Sequence, residues 1–325
     1  MESSSPTQPA QVKKYRFKFN GNFLELVKLI IKNTFLTVFT FGLYIPYART
    51  NMRKYLWRSC SFGGKPFLFH ADPKNLLKGY VILFFVMFGV ATISKIGESQ
   101  AGGFLPLKFL FLVLPQITVI FFLAKYQYRA YAYLVNNTSF RSVRFNVNPE
   151  GSRPYIMNSL QGWFLTVLTL GIYYPFMAHE HSKIKWKNTA FGTHGFSYKG
   201  HNKDYAFAWY KGMLLTIFTL GLYGPWFAVS MHRYSIDNLR FQGAKFSTTV
   251  TGVDCMMLSV KSFFLVVLTF GLAIPYILNM NLAFYINKLT MKGDINFEEI
   301  LQTNRTHQDE SFSDGVSDLF DGDAA

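Results

Sequence analysis

Cysteine is scarce: Cys60 and Cys255 are the only two in 325 residues, and their lack of ligand-like spacing argues against a disulfide or thiolate metal framework. Charge is scarce too, at 16% Asp, Glu, Lys and Arg, where an ordinary soluble domain carries about 25%. The opening stretch MESSSPTQPAQVKK has no apolar run of the kind a cleavable secretory signal needs. No G-x-S-x-G, P-loop, Rossmann glycine pattern or H-E-x-x-H occurs, so nothing nominates a nucleophile with its base. No catalytic residue and no cofactor is expected.

What the chain has instead is apolar surface. Half of it is hydrophobic, with 35 Phe and 19 Tyr, more than a soluble core needs, which points to lipid as part of its solvent. The net charge of +15 comes from basic residues spread among apolar runs. That distribution suits anionic phospholipid headgroups better than nucleic acid. From His307 onward the balance reverses: HQDESFSDGVSDLFDGDAA holds acids and no Lys or Arg, the composition of a solvated extension.

An internal repeat organises the rest. Thr40, Thr169, Thr219 and Thr269 are each followed two residues on by Gly42, Gly171, Gly221 or Gly271, and six residues on by Pro46, Pro175, Pro225 or Pro275. A fainter copy at Thr118 has Ile120 and Ala124 in place of the glycine and proline. Downstream, Phe62, Phe140, Phe191 and Phe241 share one slot, and Phe67, Phe145, Phe196 and Phe246 follow five residues later in short alternating segments. Units are placed near 17–66, 95–144, 145–195, 196–245 and 246–297, with an inserted helix near 76–94, a polar tail over 1–16 and an acidic tail over 301–325.

Apolar helices are expected near 23–48, 76–94, 104–124, 155–178, 205–229 and 257–280. About 20 such residues cross a bilayer, so the expected fold is a mainly α membrane protein of about six transmembrane helices with short extended segments between repeats. Within such a helix, proline removes an amide and clashes with the carbonyl four residues back, which is the motif glycine each time. T-x-G-x-x-x-P therefore reads as a kink. Its glycine carbonyls either converge on a polar pathway or the bend merely turns the following helix out along the interface.

Eight residues before each threonine stand Lys32, Gln161, Lys211 and Lys261, candidates for contact with substrate or lipid or for snorkelling to an interface. Tyr44, Tyr173 and Tyr223, with Trp163, Trp209 and Trp226, suit an interfacial aromatic belt. After each proline, stretches such as ARTNMRKYLWR and HEHSKIKWK alternate basic and aromatic residues, as in a helix lying at anionic headgroups. His179 and His181 flank Glu180, but two histidines two apart on a helix point in different directions, so no metal site is expected.

With its repeated LTxxTxGxYxP, the basic helix after it and NTxFGxxxFxYxG, the chain resembles the YjgN family of bacterial multi-pass inner-membrane proteins, a domain of unknown function. The resemblance implies a bacterial inner-membrane location and no particular activity. Six spans divide Lys and Arg almost evenly between the two sides, so charge does not orient the chain. Either successive units are inverted, or some units dip into the membrane and return on one face. The functional expectation is a transporter or channel-like protein passing a small solute, with a non-enzymatic envelope scaffold or anionic-lipid-binding module as the alternative.

Overall fold

The computed structural model describes residues 13–100, 105–295, 297 and 300. Most of the polar N-terminal tail and the whole acidic tail expected from the sequence lie outside them. The chain alternates helical hairpins with β-hairpins. β1 (Lys14–Phe19) leads to α1 (Phe23–Phe39), α2 (Ile45–Ser59), β2 (Cys60–Phe62) and β3 (Lys65–Phe69). Then come α3 (Pro73–Gln100), α4 (Leu105–Asn136), β4 (Thr138–Phe140) and β5 (Val143–Val147). The third unit is α5 (Ser152–Leu168), α6 (Tyr174–Lys187), β6 (Thr189–Phe191) and β7 (His194–Tyr198). The fourth is α7 (Asn202–Phe218), α8 (Gly224–Asp237), β8 (Leu239–Phe241) and β9 (Ala244–Thr248), and α9 (Gly252–Leu268), α10 (Ile274–Asn287) and β10 (Leu289–Lys292) complete the chain.

The extended segments pair into one closed antiparallel barrel, in the order β1-β10-β9-β8-β7-β6-β5-β4-β3-β2. The repeated phenylalanines explain the closure. Register sets Phe17 opposite Phe62, Phe67 opposite Phe140, Phe145 opposite Phe191, Phe196 opposite Phe241 and Phe246 opposite Met291. Each strand thus sends one large apolar side chain inward at the same level. The four Phe–Phe pairs hold centroid distances of 4.6, 5.0, 4.6 and 4.8 Å, so the barrel is a packed core. Ile295, Phe297 and Ile300 close over one end, where the Phe297 ring meets Tyr15, Phe62 and Phe140 and the Arg141 guanidinium at 4.7 Å.

The helices stand on this barrel as antiparallel hairpins, each helix packing on the next and α10 on α1. A recurring tyrosine fastens the feet of three of them. Tyr55 donates to the Asn22 carbonyl at 2.8 Å, Tyr133 to the Asp72 carbonyl at 3.3 Å and Tyr234 to the His201 carbonyl at 2.8 Å. In the last hairpin the Lys288–Asp254 ion pair takes that place. Neighbouring hairpins are tied by Tyr128 to the Asn148 carbonyl at 2.7 Å and by His179 to Asn202.

The structure overturns the expectation of six transmembrane helices. Among the described residues no helix is long and apolar enough to cross a membrane, and the extended segments expected between repeats are the staves of a ten-stranded barrel. The physical reason lies at the motif. The runs near 23–48, 155–178, 205–229 and 257–280 are each cut into two arms at Thr-x-Gly, and a 17-residue arm reaches only about 25 Å at ~1.5 Å per residue. The run near 76–94 falls within α3, and the described part of the run near 104–124 falls within α4.

This packing can be tested at two residues. Phe191 is 4% exposed and touches Phe140, Phe145 and Phe241; Phe191→Ala should cost about 3–5 kcal/mol of unfolding free energy, read by denaturant titration in detergent, and Phe191→Leu clearly less. Inside the α5–α6 hairpin, His181 Nε2 meets Ser159 Oγ at 2.8 Å with its ring stacked on Tyr155. Burial, helped by the nearby Lys185 charge, pushes the His181 pKa down to about 4. Unfolding restores the ordinary value, so the unfolded chain binds more protons between about pH 6.5 and 4. The melting temperature should therefore be fully sustained above that window and fall as pH drops through it, with a shallower slope in His181→Gln.

Candidate membrane-contact site

The four full copies of the motif build one turn. Thr40 caps α1, Phe41 follows at φ +48° and Gly42 at φ +90°. The next amides then turn into α2, with proline in its first turn. Leu170 and Gly171, Leu220 and Gly221, and Phe270 and Gly271 repeat those angles within a few degrees. This is a Schellman ending continued at once into a new helix. The kink expected at Thr40, Gly42 and Pro46 and at their equivalents is thus a reversal between two helices, since two successive left-handed residues cannot continue an α-helix.

Every amide of the turn is paired over six residues. Thr40 N–H donates to the Leu36 carbonyl, Phe41 to Val38, Gly42 to Thr37, Leu43 to Thr40 and Ile45 to Gly42. Tyr44 N–H donates to the Thr40 hydroxyl at 3.0 Å, and that hydroxyl donates back to the Leu36 carbonyl at 2.7 Å. The next residue is Pro46, which has no amide to satisfy. The same pairing recurs from Thr169 to Tyr174, Thr219 to Gly224 and Thr269 to Ile274, with Tyr173, Tyr223 and Ala273 donating to the threonine hydroxyl. The three motif residues divide the work of the turn, in that threonine bridges both arms, glycine takes the second left-handed angle, and proline removes a donor.

The side chains on this turn face outward. Phe41 is 98% exposed, Leu170 95%, Leu220 95% and Phe270 97%. Val38, Phe39 and Leu43, Val167, Leu168 and Ile172, Ile217, Phe218 and Leu222, and Val267, Leu268 and Leu272 surround them, all exposed. No charged residue occurs in 36–46, 165–175, 215–225 or 265–275. Tyr44 on Tyr47, Tyr173 on Phe176 and Tyr223 on Trp226 stack at the root of each turn, at 5.5, 5.6 and 6.1 Å. Lys32, Gln161, Lys211 and Lys261 are all exposed on the first arm, about 12 Å of helix below the threonine at ~1.5 Å per residue. They form one level around the ring of hairpins. Between the third tip and α7 lies an apolar cleft of about 390 Å³ lined by Leu170, Ile172, Tyr174, Trp209 and Met213, where the Tyr210 hydroxyl donates to the Ile172 carbonyl.

The faint copy departs in structure where it departs in sequence. Without the glycine and proline, Thr118 donates to the Leu114 carbonyl inside the uninterrupted 32-residue α4, and that hairpin is longer than the others. His179, Glu180 and His181 do not converge. His179 bonds Asn202, Glu180 meets Lys183 and Asn202, and His181 meets Ser159. Among the described residues no group of three His, Cys, Asp or Glu is placed to hold a metal. The tyrosines at the hairpin feet went unread in the sequence, although Tyr55, Tyr133 and Tyr234 share one slot nine residues after the proline position and could have been found by the same alignment.

Residues 14–209, 193–246 and 226–319 match the family described as "Bacterial protein of unknown function (DUF898)". "Inner membrane protein YjgN" of Escherichia coli strain K12 is 22% identical over 221 residues, covering 58% of this chain and 53% of the relative, and the protein of that name from Escherichia coli O157:H7 aligns equally. The chain thus spans about half the length of the curated relatives it matches. No solved structure matches it. The three overlapping segments run from β1 into the acidic tail, and the chain belongs to the DUF898 family of bacterial proteins.

Proposed function

We propose that this protein is a non-enzymatic scaffold of the bacterial inner membrane that grips anionic phospholipid by sinking its apolar hairpin tips into one leaflet. The observation that carries the reading is the turn itself: a backbone reversal with every amide from Thr40 to Ile45 paired internally, bearing an almost fully exposed Phe41, and present four times. Hydrocarbon offers a backbone no hydrogen-bond partner, and the amides of this turn, the donors that would otherwise be left without one, are all paired within it. The names of the relatives support the inner-membrane assignment.

The depth fits one leaflet. The lysine level lies about 12 Å below the tip, against ~15 Å for half of a ~30 Å hydrocarbon core, so Lys32, Lys211 and Lys261 reach phosphate when the tips are fully sunk. The apolar part dominates. Burying the four left-handed tip residues contributes about 1.5–3 kcal/mol each, whereas a lysine near an anionic surface adds about 1 kcal/mol. Salt should therefore weaken binding without abolishing it.

Passage of a solute along the motif glycines has less support. The carbonyls of Gly42, Gly171, Gly221 and Gly271 each accept an amide of the turn, and the barrel interior is filled with phenylalanine.

The test uses the full chain with Cys60 and Cys255 removed, reconstituted in vesicles, with an environment-sensitive dye on a single cysteine. At position 170 or 220 the dye should shift to the blue and be quenched by brominated acyl chains; at Lys199 it should stay aqueous. Lys199 and Thr249 should be reached from the same side by an impermeant thiol reagent. A dye at 220 that remains in water with vesicles present would sink the proposal. In parallel, K32Q/K211Q/K261Q should lower the preference for anionic over neutral vesicles by on the order of 100-fold and leave neutral-vesicle binding unchanged.

A further inference from the structure

The end of the molecule away from the tips carries a feature of another kind. Strand register sets Arg240 opposite Lys245, Lys245 opposite Lys292 and Lys292 opposite Lys14. Their neighbours Leu239, Phe241, Ala244, Phe246 and Met291 belong to the interior cluster, so these four cations lie on the outer face, the three lysines exposed and Arg240 half-buried with its guanidinium donating to the Asp237 and Leu239 carbonyls. Arg16 and Lys18 lie on the same face of β1, and Lys14, Arg16, Lys18, Lys245 and Lys292 are exposed. The outward positions of β1, β10, β9 and β8 include no acid.

Like charges directly opposite on neighbouring strands repel and destabilise the pairing. Lys292 has one on each side. At ~4.8 Å between strands, the row of four spans about 14 Å. Such a ladder calls for a polyanion in extended form.

The chain carries one. Asp309, Glu310, Asp314, Asp318, Asp321 and Asp323 occur with no Lys or Arg from His307 onward. Their attachment point is on the barrel that bears the ladder: Ile300 belongs to the same interior cluster as Ala244 and Met291, the chain neighbours of Lys245 and Lys292. Seven residues from Ile300 to His307 reach up to about 25 Å. A tether this short holds the acids near the ladder at millimolar effective concentration.

We infer that the acidic C-terminal segment docks in cis across the Arg240–Lys245–Lys292–Lys14 ladder and keeps this face from other polyanions. The site is independent of the membrane reading, because it lies on the barrel and its test runs in detergent.

Two measurements on the full chain decide it. Carbodiimide coupling at low salt, read by mass spectrometry on mixed isotope-labelled and unlabelled protein, should join Asp314, Asp318 or Asp321 to Lys14, Lys245 or Lys292 within one chain. The coupling should vanish at about 0.5 M salt, where screening falls below ~5 Å. Coupling to Lys54, Lys183 or Lys187 alone, coupling only between chains, or no coupling would overturn the inference. The second measurement is fluorescence anisotropy of a labelled peptide of residues 307–325. A variant with all six tail acids neutralised should bind it at least 10-fold more tightly than the wild-type chain, whose site is already filled, and adding K14Q/K245Q/K292Q should abolish binding. Equal binding to wild type and tail variant would overturn it. So would a single-stranded oligonucleotide that binds both forms alike while the peptide binds neither, since the ladder would then serve nucleic acid.

Discussion

Closure of the barrel is the constraint on which the rest of the molecule stands. Strands of three to six residues are marginal alone or as single hairpins in water. Ten of them persist because each adds one large side chain to a common interior and the tenth pairs with the first, leaving no edge. The phenylalanine pairs therefore do more than fill space. Their equal level fixes register around the ring, and register fixes where each helical hairpin leaves the barrel. That is why four turns separated by some fifty residues or more in sequence present the same chemistry at the same height. Met291 in place of a tenth phenylalanine falls beside the segment holding Ile295, Phe297 and Ile300, where bulk from another part of the chain is already at hand.

The hairpins inherit their spacing from the barrel but owe their ends to the motif. A helix ending normally leaves carbonyls unpaired, and a helix start leaves amides unpaired; joining the two by the shortest route lets each supply the other. Thr40, Thr169, Thr219 and Thr269 are central to that arrangement, because one hydroxyl donates to the ending helix and accepts from the starting one. The contrast with Thr118 isolates the requirement. With the threonine kept and the glycine and proline gone, its hydroxyl still donates one turn back, and the helix simply continues.

Much of this was legible. Repeat spacing, the fixed threonine, glycine and proline, the paired phenylalanine slots and the lysine level are all properties of letters at intervals. What could not be read was how many elements each apolar run contains. From Leu36 to Pro46 hydropathy is continuous, and a helix that spans and a hairpin that reverses bury the same kind of surface. The decision is made by Phe41 and Gly42 at positive φ, and phenylalanine is a residue that propensity alone keeps out of that region. The barrel was hidden for a related reason: segments such as TAF and LRF are too short to show alternation, and each pairs with a partner in another unit. Gln161 shows the limit at the site, since it is exposed like the lysines while its chemistry differs from theirs.

The tip residue carries a last piece of physical information. A non-glycine residue in the left-handed region costs about 1–2 kcal/mol, and at Phe41, Leu170, Leu220 and Phe270 that cost recurs four times. For folding in water the better choice is plain, because glycine there would relieve the strain and leave less apolar surface exposed. Glycine is present in the turn, but one residue later, so the chain can place it and does not place it at the tip. Strain and exposed hydrophobic area therefore coincide at one position in every full copy. The two costs together are offset only where the side chain finds apolar surroundings, and insertion into hydrocarbon returns about 1.5–3 kcal/mol for each such residue, more than the backbone strain consumes. A ring of strained, bare hydrophobic tips is unfavourable for a body in water and favourable for one that rests on a membrane.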